Sequence, residues 1–204
     1  LCGFKQLLRM ISRRNIRVKV MQTLYSMDTL SGQTKPGEPL SVLTKKIDES
    51  RNLFTYLIFF ITEVARFAEV DARQKASKHL PSASDLTTNT RIAGNELLWK
   101  IVEDPDFKSS LSAAKLTSLV DTDLLKKIYT DLKNSPDYKE YIELTQRDKK
   151  SERKILEFIF SNLMLPDERF INHVEEHFIN WDDDAEMMQT LVPAYLNKPG
   201  LQSF

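Results

Sequence analysis

Cysteine occurs once in these 204 residues, at Cys2, so the chain can close no internal disulfide and offers no zinc site built on thiolates. A reducing, cytoplasmic setting is the default expectation. Glycine is scarce too, five against eight prolines, which leaves long stretches free to stay helical. A glycine-rich phosphate loop is missing, as are a G-x-S-x-G elbow and a Cys/His pair fit for nucleophilic catalysis. A non-enzymatic protein without a cofactor is therefore expected. Long apolar runs are lacking as well. The longest, Leu53 to Ile61, is nine residues and is followed by Glu63 and Arg66, whereas a membrane span needs about 20. It reads as a buried core helix. The first residues carry no secretory signal pattern, and Met10 is a candidate native start, with residues 1–10 an extension.

What is there is an uneven charge distribution. The chain totals 29 basic and 29 acidic side chains, yet Leu1 to Met27 hold six basic residues and no acid. The remainder carries 23 basic and 29 acidic, a net of −6. Such a basic end is the electrostatic footprint of a surface that meets phosphates. A cluster of this size fits a solvated, solubilising end equally well.

Helical spacing dominates the chain. A first helix is expected from a Ser12 cap to Met27, then a loop over residues 31–39. A long amphipathic helix follows over residues 40–78, with apolar positions three and four apart at 53, 54, 57, 58, 61, 64, 65 and 68. Residues 79–90, with Pro81 and a run of Ser and Thr, read as a linker. Beyond it, helices are expected over 91–102, 111–119, 121–132 (capped by Asp121) and 135–144. A charged hinge spans 146–153, and a helix follows over 155–163. Two more run from Pro166 to about Asn180 and from Asp182 onward, the last interrupted by Pro193. No strand pattern and no internal repeat is present, so the fold class is all-α, a helical bundle. The chain stops after Gly200-Leu201-Gln202-Ser203-Phe204 without a final cap, which reads as a boundary inside a longer protein.

Within the first helix, Arg13 and Arg14 fall in the first turn, where the macrodipole is positive and exposed cations each cost the helix up to about 1 kcal/mol. A bound phosphate reverses that sign, because free N–H groups and guanidinium forks then converge on one anion. Val20, Met21 and Leu24 are expected to face inward, and Tyr25 offers a ring on which an unstacked base could sit.

The pattern R-R-x-x-R-x-x-x-x-Q-x-L-Y, at Arg13, Arg14, Arg17, Gln22, Leu24 and Tyr25, resembles the opening helix of the NusB transcription antitermination and termination factor family. That resemblance implies an all-helical, cytoplasmic regulator that binds single-stranded boxA-like RNA. It implies a NusE-type ribosomal protein partner in the transcription elongation complex. It also implies that Arg13, Arg14 and Arg17 meet RNA phosphates and that Tyr25 lies at the RNA-facing end. Lys19 joins the set more weakly, since it projects from another side of the helix. The family's C-terminal signature is absent from the 204 residues. The chain thus looks like the N-terminal portion of a longer variant. Its parts would be a NusB-like segment over 11–78, the linker 79–90, and an additional helical region over 91–204 leading into a missing C-terminal part.

Two alternatives stand beside this. Residues 167 to 186 hold eight acids and one arginine, which suits a non-enzymatic scaffold that grips a basic protein partner. The sequence His173-Val174-Glu175-Glu176-His177 matches H-x-x-E-H, an inverted zinc-hydrolase motif. Its third ligand would come from Asp182, Asp183, Asp184 or Glu186. A charged helix whose histidines flank an apolar stripe explains that motif more simply.

Overall fold

The computed structural model describes residues 12–29, 37–77, 82 and 88–198. Among them lie nine α-helices and no strand. In chain order these are α1 (Arg13–Thr29), α2 (Glu38–Ala76), α3 (Glu96–Glu103), α4 (Pro105–Ala113), α5 (Thr122–Asn134), α6 (Pro136–Glu143), α7 (Lys149–Phe158), α8 (Glu168–His177) and α9 (Trp181–Asn197). A 3-10 turn at Leu116–Leu119 precedes α5, and α7 runs on into a π-helical stretch at Ile159–Met164.

Local chemistry explains most boundaries. The side chains of Asn95, Asp104, Asp121, Ser135, Asp148 and Asp167 each accept backbone N–H groups at the start of the helix that follows. Pro105 and Pro136 sit in first turns, where a missing N–H goes unnoticed. Gly37, with φ 88°, turns the chain into α2 through the left-handed region that a side chain would resist. Some expectations shift. Pro166 does not open α8; it lies before the Asp167 cap. The expected helix over 111–119 divides into the end of α4 and the 3-10 turn, with Lys115 left-handed between them at φ 52°. Pro193 lies within α9 without ending it.

The organising element is α2. Its 39 residues extend roughly 58 Å, and its middle is buried on almost every side: Leu53 through Ile58 and Phe60 through Thr62 are all buried. A helix apolar all round belongs at the centre of its neighbours. Aromatic pairs fasten three helices to it. Phe54 meets Tyr195 of α9 edge-on at 5.6 Å, Phe60 meets Phe170 of α8 at 5.0 Å, and Phe67 meets Tyr129 of α5 at 5.2 Å. One continuous apolar cluster runs from Ile47 to Leu196. The expected linker at 79–90 lies mostly outside the described residues, but the segments on either side of it share a single core.

Candidate nucleic-acid interface

Helix α1 begins as its sequence suggests. The Ser12 hydroxyl oxygen accepts the Asn15 N–H at 3.2 Å, and no acid stands in the first turn to offset Arg13 and Arg14. At 100° per residue the helix divides cleanly into two faces. Positions 15, 16, 19, 20, 22, 23, 26 and 27 are buried or half-buried. Positions 13, 14, 17, 18, 21, 24, 25 and 28 are exposed.

The inward face sets polar contacts beside the half-buried Ile16 and Val20 and the buried Met27. Lys19, only 4% exposed, places Nζ 2.7 Å from Asp184 Oδ1 of α9. The other carboxylate oxygen accepts Ser50 Oγ–H of α2 and Asn180 Nδ2–H, each at 2.6 Å. Thr23, also buried, donates its hydroxyl to the Lys19 carbonyl at 2.7 Å. A buried carboxylate with three charge-satisfying partners is well compensated, so this network joins α1, α2 and α9 at one point. Lys19 therefore serves the fold, and its charge is turned away from any surface ligand.

The outward face carries the other expected residues together. Arg13, Arg14 and Arg17 are exposed over the first two turns, and among the described residues none of them makes an ion pair. Tyr25 stands 74% exposed on the same side, about 17 Å along the axis from Arg14. Between them lie residues that the sequence reading misplaced. Met21 and Leu24, expected inside, are 70% and 58% exposed, and Val18 is 42% exposed. In an amphipathic helix the apolar side chains ordinarily point inward. Here the buried Lys19–Asp184 pair turns Lys19 inward and leaves Val18, Met21 and Leu24 facing out, while Val20 is half-buried as expected. Lys19, on the side opposite the arginines, was the available signal. Leu40 at the start of α2 is exposed as well.

The histidine motif has a structural explanation. His173 Nε2 lies 2.6 Å from the hydroxyl of buried Tyr56, and His177 Nδ1 lies 2.8 Å from the His173 carbonyl oxygen. Desolvation, and then the neighbouring His177, push His173 below its ordinary titration range; Asp121 and Glu176 oppose this. Burial, then Asp121, raises Tyr56 and keeps its hydroxyl protonated. Of the expected third ligands, Asp184 is committed to Lys19. Among the described residues no group of three or more His, Cys, Asp or Glu side chains is placed to hold a metal ion. No helix among them is long and apolar enough to cross a membrane.

Compared with models of known protein families, with curated proteins and with solved structures, the chain matches none of them.

Proposed function

We propose that this protein binds single-stranded RNA along the outward face of α1. The observation that carries the reading is the grouping of Arg13, Arg14 and Arg17 with Tyr25 on one exposed face. Guanidinium groups at a helix N-terminus hold phosphates, and an exposed ring three turns on stacks a base; phosphate contacts supply affinity and stacking supplies preference. The Lys19–Asp184 pair supports the same reading, because it holds the helix in the orientation that shows this face. Following the resemblance to the NusB family, the strand is a boxA-like sequence, the partner a NusE-type ribosomal protein, and the role transcription antitermination or termination in the cytoplasm.

Fluorescence anisotropy with a boxA-like RNA and a scrambled control tests this. Three phosphate contacts at about −0.7 each give a log–log salt slope near −2. Replacing Arg13, Arg14 and Arg17 together by Ala should flatten that slope and leave the helical circular dichroism unchanged. A slope that survives the triple substitution overturns the assignment.

A second reading has an observation of its own. Val18, Met21 and Leu24 form an aliphatic strip between the arginines and Tyr25, which suits a scaffold docking a protein helix. It differs in its salt response: apolar docking is nearly insensitive to salt, whereas phosphate binding is steeply sensitive.

A further inference from the structure

Of the seven large apolar side chains left exposed among the described residues, four (Val18, Met21, Leu24 and Tyr25) share the outward face of α1. Apolar groups scattered singly over a surface are ordinary, whereas a contiguous strip marks something that covers it. Charges close the strip at both ends. Arg14 and Arg17 stand near the start of α1 and Asp28 in its last turn, all exposed. Asp28 pairs with no cation among the described residues. Arg14 and Asp28 each oppose the dipole of their own helix, a cation at the positive end and an anion at the negative end. The first turn holds no acid and the last turn no base to offset them. The strip is symmetric about Met21, the middle residue of the 17 in α1. At 3.6 residues per turn, positions 14, 17, 18, 24, 25 and 28 all fall within about 60° of it around the helix axis.

We propose that this face binds the same face of a second copy of the chain, the two α1 helices running antiparallel across a two-fold axis at Met21. A two-fold contact requires a self-complementary surface, and this one complements itself in the antiparallel sense. Each residue then stands level with the one equally far beyond Met21 on the partner copy. Arg14 meets Asp28, Arg17 meets the Tyr25 ring, Val18 meets Leu24, and Met21 meets Met21. A guanidinium over a tyrosine ring is favourable. Arg14 and Asp28 now lie beside the terminus of the partner helix whose dipole they complement. A parallel pairing would instead set Arg14 on Arg14, Arg17 on Arg17 and Asp28 on Asp28. The strip is about 26 Å long and one helix wide, less than the roughly 800 Å² per partner of a standard interface. The dimer is accordingly a weak one that forms and dissociates with concentration. The same side chains hold the strand in the RNA reading above, so dimer and RNA complex are alternatives at one surface, and the dimer stands whether or not RNA binds.

Sedimentation velocity of the intact chain without RNA, from about 1 to 500 µM, tests the proposal. A reversible monomer–dimer equilibrium is expected. Met21→Glu sets two carboxylates together on the axis and should weaken the dimer at least about tenfold. Arg14→Asp and Asp28→Arg each put like charges face to face and should weaken it by about tenfold as well. Both of these charge variants favour the isolated helix through its dipole, so a lost dimer cannot be put down to a frayed α1. Combining the two makes the facing charges opposite again and should bring the dimer back. Asp28 lies outside the RNA-contacting set, so Asp28→Arg breaks the dimer without removing a phosphate contact and separates this proposal from the RNA reading. A chain that is monomeric at every concentration, a dimer indifferent to Met21→Glu, or a combined charge variant as weak as either single one overturns the proposal.

Discussion

Lys19 shows how one side chain sets the presentation of a whole surface. An exposed pair such as Lys127–Asp131, 2.5 Å apart, contributes about 0–1 kcal/mol. The Lys19–Asp184 pair is almost wholly removed from water, so losing one partner strands a buried charge. Lys19→Met should therefore destabilise the protein by about 3–5 kcal/mol, measured by urea denaturation. Adding Asp184→Leu should recover most of that loss, because a well-packed apolar pair of similar volume replaces a buried ion pair at little net cost. A double variant as unstable as the single one would show that Ser50 and Asn180, which also bond Asp184, need the carboxylate more than Lys19 does. In the chain, only the place of Lys19 opposite the arginines pointed to this. The arginines and Tyr25 could be placed on one face by counting, but which face turned inward depended on a carboxylate 165 residues away.

At the scale of elements, the legible features were those decided within four residues. Ser12 and Asp121 cap as expected because a cap needs only its own turn, and Ser135, expected as the first residue of its helix, caps it instead. Asn95 lies inside the helix expected over 91–102, which in fact starts only at Glu96, and its second role is tertiary. Its side-chain oxygen caps α3 while its Nδ2–H donates to the Glu152 carbonyl, and the Glu152 carboxylate accepts the Glu96 N–H at 3.0 Å. The seating of α8 on α2 is likewise a long-range matter. In the neutral tautomer whose Nε2 carries no proton, the Tyr56 hydroxyl donates to that nitrogen at 2.6 Å. Protonation makes that nitrogen a donor, and the hydroxyl must turn to the more distant Leu119 carbonyl at 3.4 Å. Because the folded state holds His173 below its ordinary pKa, the unfolded chain binds the proton more readily. Stability should accordingly be full above about pH 6.5, where an unfolded histidine is neutral, and should fall as pH drops through that value toward the lower folded one. Urea midpoints between pH 8 and 5 measure this. In His173→Gln, whose amide oxygen still accepts from Tyr56, the acid-side fall should shrink; an undiminished fall would assign the effect to other groups.

The all-α class was legible at the scale of the molecule, because helical periodicity with few glycines admits little else. The division into a first segment and an additional helical region is a different matter, since composition marks a polar stretch but cannot say whether a core crosses it. Here the core does. The run from Leu53 to Ile61, read as a buried helix, gets its burial from helices that come after residue 90. Phe54 is covered by Tyr195, Phe60 by Phe170, and Tyr56 by Phe178 and His173. Removing α2 would expose the buried faces of α5, α8 and α9 at once. At about 25 cal/mol per Å², a handful of uncovered aromatic rings of 150–250 Å² each amounts to more than the 5–15 kcal/mol by which a domain is stable. A fragment of residues 88–198 should therefore show helical circular dichroism but no cooperative thermal transition, and should bind a hydrophobic dye. Adding a peptide covering residues 37–77 should restore the transition, since that peptide supplies the missing centre. A fragment 88–198 that melts cooperatively alone would mean that α3 to α9 carry a sufficient core of their own. It would also mean that α1 and α2 are an attachment to that core, with α1 free to move relative to it.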